Sequence, residues 1–219
     1  MAVLLTVLCV VFLVALLVSE IKSSQKLRYL AKPLASACFV ALAAVLADWQ
    51  GAGQSYSVWI FVGLVLGAGG DVALMLKGER WFLLGLVSFL LGHAAYVVAC
   101  AIVVPPSAWL QPISLAPVIA ALLVLAYLWP HLGKMRVPVL CYVATIVLMV
   151  VAAIAVHQTH GPQLSDQQAL LLLLGALLFF VSDVAVAKSR FVKAQLVDRL
   201  WGLPAYYCGQ LLIAWSLLA

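Results

Sequence analysis

The chain has 219 residues, of which 67% are hydrophobic and only 9% are charged, and its mean hydropathy is +1.21. A soluble fold of this size cannot bury so much apolar surface, so the composition excludes a soluble domain and indicates a protein that spans a lipid bilayer. The net charge of +5 would suit a nucleic-acid-binding protein. However, the basic residues form short clusters between long apolar runs, which is typical of membrane topology signals, and we expect no nucleic acid partner.

Eight apolar runs follow one another along the chain, each of about 17–25 residues, the length that crosses about 30 Å of hydrocarbon. They predict an all-α, polytopic membrane protein with eight transmembrane helices in a single domain, residues 1–219. The predicted spans are 2–19, 30–47, 56–76, 81–104, 113–129, 137–156, 168–187 and 203–219. The first run has neither a basic segment before it nor a small-residue cleavage site, so we interpret it as a retained helix and not as a signal peptide.

All lysine and arginine residues lie in or beside alternate connections, those between helices 1 and 2, 3 and 4, 5 and 6, and 7 and 8. They are Lys22, Lys26, Arg28, Lys32, Lys77, Arg80, Lys134, Arg136, Lys188, Arg190, Lys193 and Arg199. The other connections, 48–55, 105–112 and 157–167, contain none, so the alternation supports the count of eight helices. By the positive-inside rule, the basic connections face the cytoplasm and both termini lie outside. We expect the location to be a bacterial inner membrane.

Similar segments stand near the ends of helices 3 and 7. One reads Gly-Asp-Val-Ala-Leu-Met-Leu-Lys over residues 70–77, and the other reads Ser-Asp-Val-Ala-Val-Ala-Lys over residues 182–188. The similarity favours two four-helix halves of the same orientation. The alternative is a chance likeness between alanine-rich apolar helices.

These segments place two aspartates inside the membrane. Asp71 lies six residues before Lys77 and Asp183 five before Lys188, which puts both roughly 7–9 Å inside the basic ends of their helices. An ionised carboxylate in hydrocarbon is costly unless it is paired or hydrated, so each aspartate indicates a functional site. At a shared depth the two carboxylates could face each other and divide into an acid and a base. The alternative is that each pairs with its neighbouring lysine or caps a backbone break.

Other polar side chains fall at a similar or greater depth. Those at a similar depth are Lys32, Tyr142, Tyr206, Tyr207 and Gln210. They could surround the same cavity, or the tyrosines could be interfacial anchors. His93 lies deeper, near the middle of helix 4, where it could form the floor of the site, or bond Tyr96 or a backbone carbonyl as a neutral packing residue.

The sequence predicts no metal and no cofactor. A metal site needs three or four converging ligands, whereas His157 and His160 stand in an outward connection, far from the aspartates. The sequence contains no nucleophile elbow, no H-E-x-x-H motif and no P-loop.

An ordered set of motifs resembles the YhhN type lysoplasmalogenase family. The set comprises Lys32-Pro33-Leu34, the segment from Gly70 to Met75, Gly92-His93-Ala94-Ala95-Tyr96, Tyr142 with Met149, the stretch from Gly175 to Asp183, and Tyr206-Tyr207-x-x-Gln210. The resemblance covers nearly the whole chain in order, and eight helices is the count expected for the family.

This resemblance implies a hydrolase that cleaves the vinyl ether bond of lysoplasmalogens, such as lysoplasmenylethanolamine and lysoplasmenylcholine. The products would be a fatty aldehyde and a glycerophospho head group, and the partners would be the lysophospholipid substrate and the surrounding membrane lipids. Asp71 and Asp183 would be the catalytic acid and base, as two carboxylates are in glycosidases. Substrate-binding roles would fall to Lys32, which could hold the phosphate, and to His93, Tyr96, Tyr142, Tyr206, Tyr207 and Gln210.

Paired intramembrane carboxylates and a repeat are also features of secondary transporters, so a small proton-coupled carrier is the rival hypothesis. Against a carrier, both aspartates lie near one face and not at the midplane. A lipid-binding membrane protein without turnover is the third possibility.

Overall fold

The computed structural model describes residues 1–159 and 163–218, and the regular structure in these ranges is entirely helical. The α-helices are α1 (Ala2–Ile21), α2 (Gln25–Leu46), α3 (Gln54–Met75), α4 (Glu79–Val103), α5 (Leu115–Leu128), α6 (Arg136–Thr159), α7 (Asp166–Phe191) and α8 (Leu196–Trp215). The prediction of an all-α, polytopic fold is therefore confirmed. Within the described ranges, seven helical segments are long and apolar enough to cross a membrane, and α8 is the helix outside that set.

Helix α8 differs most from its predicted span, because it begins at Leu196 and not at residue 203. The predicted spans place Asp198 and Arg199 in the connection between helices 7 and 8. In the structure their charges are paired across the helix boundary, with Lys188 Nζ 2.8 Å from the Asp198 carboxylate and Arg199 2.6 Å from Glu20. Charged residues can therefore occupy the first turn of this helix.

Local signals explain several helix ends. The Ser24 hydroxyl accepts a hydrogen bond from the Leu27 N–H at the start of α2, and Ser165 and Gln168 form a capping box at the start of α7. Between α3 and α4 the chain reverses at Gly78, whose φ of 119° is open to glycine but strained for other residues.

The helices pack as neighbouring pairs, α1 with α2, α3 with α4 and α7 with α8, while α5 lies outside against α6 and α7. We call the end formed by the connections α1–α2, α3–α4, α5–α6 and α7–α8 the basic face. Helix α6 begins there at the periphery, where Val137 is 69% exposed, and then runs into the centre of the bundle. All residues from Met149 to Val156 are buried. The bundle is therefore filled at the far end and leaves room near the basic face.

Helices α7 and α8 approach closely at two glycines. A Cβ atom on Gly175 would lie 2.8 Å from the Gly209 carbonyl oxygen and 2.6 Å from the Ile213 side chain. Because backbone cannot yield as a flexible side chain can, the two helices pack at this distance only with glycine there.

We expect Gly175→Ala to destabilise the protein by about 1–3 kcal/mol, since the added methyl group forces α7 and α8 apart. Thermal unfolding in detergent measures the change. Gly69→Ala is the matched control, because its new Cβ would meet only the Ser88 hydroxyl, at 3.2 Å. Equal melting temperatures for the two variants would contradict this account of the α7–α8 contact.

Candidate functional site

A cavity of about 560 Å³ opens at the basic face, and all eight helices contribute to its lining. Its inner wall is largely apolar, with Leu86, Phe89, Ile146 and Phe179 among the lining residues. Its mouth is bordered by charged side chains from the basic connections. Both intramembrane aspartates line this one cavity. It thus combines an apolar wall, two carboxylates and a charged rim near one membrane surface.

Asp71 on α3 is held by two side chains of α2. Lys32 Nζ lies 3.1 Å from Asp71 Oδ1, and the Ser36 hydroxyl donates a hydrogen bond of 2.6 Å to Oδ2. Lys32 and Ser36 are four residues apart and so project from the same face of α2. The Asp71 side chain is 3% exposed and that of Lys32 is 13% exposed. Asp71 is therefore a buried carboxylate with a cationic partner.

Asp183 on α7 has different surroundings. The Tyr142 hydroxyl on α6 donates a hydrogen bond of 2.8 Å to Asp183 Oδ2. His93 Nε2 lies 3.8 Å from the same oxygen, which is too far for a hydrogen bond. The Asp183 side chain is 18% exposed, so it is the more accessible of the two carboxylates from the cavity.

The alternative that each aspartate pairs with its neighbouring lysine is wrong. Asp71 pairs with Lys32 and not with Lys77, and Lys188 pairs with Asp198 and not with Asp183. The partners come from other helices, which spacing along one helix could not reveal. That the two carboxylates face each other stays a prediction, although they line the same cavity.

The remaining predicted site residues divide into two groups. Tyr142 and Tyr206 line the cavity together with Lys32. The other four, His93, Tyr96, Tyr207 and Gln210, are nearly fully buried and lie outside the lining. A direct contact with a ligand in the cavity is therefore open to the first group, whereas the second group can act on it only through neighbours.

Three of these four buried residues, Tyr96, Tyr207 and Gln210, are connected by hydrogen bonds to residues at the cavity. The Tyr96 hydroxyl donates to Gln210 Oε1 at 2.9 Å, and Gln210 Nε2 donates to the Tyr206 hydroxyl at 3.1 Å. The Tyr207 hydroxyl lies 3.3 Å from the Ser36 Oγ and donates to the Lys32 carbonyl oxygen at 3.3 Å. These bonds fix Tyr206 and the α2 face that holds Asp71.

His93 packs between aromatic rings behind Asp183. Its ring centroid is 4.4 Å from that of Phe179 and 5.3 Å from that of Tyr142. Neither imidazole nitrogen has a hydrogen-bond partner of good geometry among the described residues, and Tyr96 bonds Gln210 instead. The imidazole therefore forms part of the wall that supports Asp183.

Sequence reasoning did not identify three residues around the cavity. Ser36 bonds Asp71, Asp198 bonds Lys188, and Glu20 bonds both Arg28, at 2.7 Å, and Arg199, at 2.6 Å. A signal was present in each case. Ser36 stands one helical turn after Lys32, and Glu20 and Asp198 are isolated acids in basic connections, where partners are at hand.

No three His, Cys, Asp or Glu side chains converge on a common point in ranges 1–159 and 163–218. His160, one member of the predicted outward histidine pair, lies outside the described residues, as do Gly161 and Pro162.

We expect Lys32→Met to destabilise the protein by about 3–5 kcal/mol, because it leaves the buried Asp71 carboxylate without its counter-ion. The double variant Lys32→Met with Asp71→Asn should recover most of that loss. Unfolding in detergent tests both. A double variant less stable than Lys32→Met alone would contradict the pairing.

Comparison with known proteins places the chain in a family. The model of the YhhN family matches residues 27–217. Lysoplasmalogenase TMEM86A from Bos taurus is 34% identical over 162 residues, covering 72% of this chain and 64% of that protein. A protein named lysoplasmalogenase from Mycobacterium bovis is 30% identical over 156 residues, covering 67% and 56%.

In both alignments the match spans less than two thirds of the relative's own length. No solved structure matches the chain. The family match nevertheless covers all of α3 to α8 and nearly all of α2. It includes every cavity-lining residue except those contributed by α1. The resemblance expected from the motifs is confirmed, and the chain belongs to the YhhN family.

Proposed function

We propose that this protein is a membrane hydrolase that cleaves the vinyl ether bond of lysoplasmalogens. The observation that carries the proposal is the presence of two differently partnered aspartates in one cavity at the basic face. The relatives named lysoplasmalogenase support the reaction. The products would be a fatty aldehyde and a glycerophospho head group.

The reaction needs one acid and one base. Protonation of the β-carbon of a vinyl ether generates an oxocarbenium ion at the carbon attached to oxygen. Water then attacks this cation and loses a proton, and the hemiacetal collapses to aldehyde and alcohol. A carboxylic acid next to a carboxylate supplies both proton transfers and stabilises the cation, as in glycoside hydrolysis.

The different partners of the aspartates suggest how these roles divide. The Lys32 ammonium and the Ser36 hydroxyl hold the Asp71 side chain, which would balance the oxocarbenium charge and receive the proton from water. Asp183 has a tyrosine hydroxyl and no cationic partner among the described residues, and it is more open to the cavity. It would be the proton donor, and water in the cavity would return the proton from Asp71 to Asp183 after each turnover.

The buried polar residues would act as positioning residues. Tyr142 orients Asp183 directly, and His93 supports both from behind. Tyr96 and Gln210 hold Tyr206 at the cavity wall. The binding roles expected for His93, Tyr96, Tyr207 and Gln210 would thus be indirect.

The cavity suits a single-chain lipid that arrives from the bilayer. Its apolar wall would contact the hydrocarbon next to the ether, and the charged mouth would border the head group. We propose that the basic face is cytoplasmic, with both termini outside, and that the membrane is a bacterial inner membrane.

The geometry favours the enzyme over the carrier. An alternating-access carrier needs a route from its site to each membrane face. Here the run from Met149 to Val156 fills the centre of the bundle beyond the cavity with buried apolar side chains. Opening a second route would require this part of α6 to leave the core.

We expect Asp71→Asn and Asp183→Asn each to lower the rate of aldehyde release by about 10²–10⁴-fold, because each amide can neither donate nor accept the required proton. Mass spectrometry of the aldehyde formed from a lysoplasmalogen by protein purified in detergent measures the effect. Asp166→Asn, at the opposite end of α7 from the basic face, is the control and should retain activity. Wild-type rates in both site variants would rule out the mechanism.

The purified wild-type protein should release aldehyde from a lysoplasmalogen in detergent, where no compartments exist, and should leave the ester analogue intact. An ester lacks the vinyl carbon that accepts the proton. Substrate uptake into vesicles without any aldehyde formation would instead support the carrier.

A further inference from the structure

Five cationic side chains line the cavity, but three of them are already engaged. The five are Arg28, Lys32, Lys77, Arg190 and Arg199. Lys32 is bound to Asp71, and Arg28 and Arg199 share Glu20. A cation that already neutralises a buried or half-buried carboxylate would have to break that pair to bind another anion.

The other two cations have no carboxylate partner in the part of the chain that the structure describes. Lys77 follows the end of α3 and is exposed, and Arg190 lies in the last turn of α7 and is also exposed. The Arg190 guanidinium lies 4.1 Å from the centre of the Phe82 ring on α4, which holds it at the cavity mouth. The Phe82 ring also meets the ring of Phe191 edge to face. Arg190 is thus held in place, and its hydrogen-bond donors are not used by a carboxylate.

We propose that Lys77 and Arg190 bind the phosphate of a single-chain phospholipid. This inference rests on the proposed function and names the group that recognises the head of its substrate. Planar guanidinium donors and a mobile ammonium are the usual protein ligands of phosphate. The role expected for Lys32 passes to these two residues, because Lys32 is paired with Asp71.

The depth of the two cations fits such a lipid. Arg190 is seven residues beyond Asp183 on the same helix, which places it roughly 10–11 Å further toward the basic face by helical rise. Lys77 is six residues beyond Asp71 and follows the end of α3 at the same face. Side chains on a helix lean toward its N-terminus, which turns Arg190 back toward the cavity. The glycerol of a lysophospholipid separates its ether oxygen from its phosphate by three carbons and an oxygen. With the ether between the aspartates, the phosphate would lie between them and the two cations.

The balance of charges at the cavity mouth also favours binding of a phosphate. Lys32 with Asp71 and Lys188 with Asp198 are neutral pairs, and Glu20 neutralises one of its two arginines. Lys77 and Arg190 add two further positive charges at the opening. The field at the mouth therefore attracts an anionic group.

Binding of an ester lysophosphatidylethanolamine tests the proposal without any need for turnover. We expect Lys77→Gln and Arg190→Gln each to weaken its binding by about 10-fold, the loss of one charge-assisted contact. Binding of a monoacylglycerol with the same chain should be unchanged, because it has no phosphate. Calorimetry of the purified full-length protein in detergent measures both, and Lys134→Gln, in the α5–α6 connection outside the cavity lining, is the control.

Unchanged lysophosphatidylethanolamine binding in both site variants would overturn the proposal, as would an equal loss of monoacylglycerol binding, which would indicate a collapsed cavity. Inorganic phosphate should bind more weakly than the lipid, and equally tight binding would identify a site for free phosphate instead. A wild-type protein that binds the lipid through these two residues but releases no aldehyde would support the phosphate site while refuting the hydrolase. If the wild-type protein releases aldehyde but Lys77→Gln and Arg190→Gln bind lysophosphatidylethanolamine with unchanged affinity, the hydrolase is supported and the phosphate site is refuted.

Discussion

The cost of placing a carboxylate in an apolar interior governs this structure. Asp71 is buried inside the bundle and depends on an ammonium and a hydroxyl from one face of α2. The same constraint explains why Glu20 joins two arginines from different helices and why Asp198 meets Lys188. Near the basic face, ion pairs link α1, α2, α3, α7 and α8. These ion pairs join five helices around the cavity mouth.

Helix α6 determines where the cavity can lie. Its first half is at the periphery, where Tyr142 reaches Asp183 from the side. In its second half, every residue from Met149 to Val156 is buried in the bundle, beyond the cavity. Helix α6 thus both supplies a hydrogen bond to the more accessible aspartate and packs into the bundle beyond the cavity.

The sequence was most informative where the chemistry is local. Apolar run length and charge alternation predicted the all-α membrane fold, and the shared depth of Asp71 and Asp183 pointed to one site. The partners of those aspartates were not predictable from spacing along a helix, because Lys32 lies on α2 and Asp71 lies on α3. The predicted start of α8 lies too far along the chain for a similar reason. Asp198 can stand in the first turn because it pairs with Lys188 of α7, and this contact between helices is not visible in the sequence. Tyr206 lines the cavity, whereas its neighbour Tyr207 stands behind the lining. This difference depends on the rotation of α8 about its axis, which the sequence does not give.

The buried second half of α6 has a consequence for the movement of molecules. With the far end filled, substrate, water and both products would share one opening at the basic face. In the proposed reaction, the aldehyde belongs in the bilayer and the head group in water. An opening at the membrane surface borders both phases, so each product can partition into its own medium without a second exit. Departure would then be driven by solubility, and no conformational cycle would be needed to separate the two.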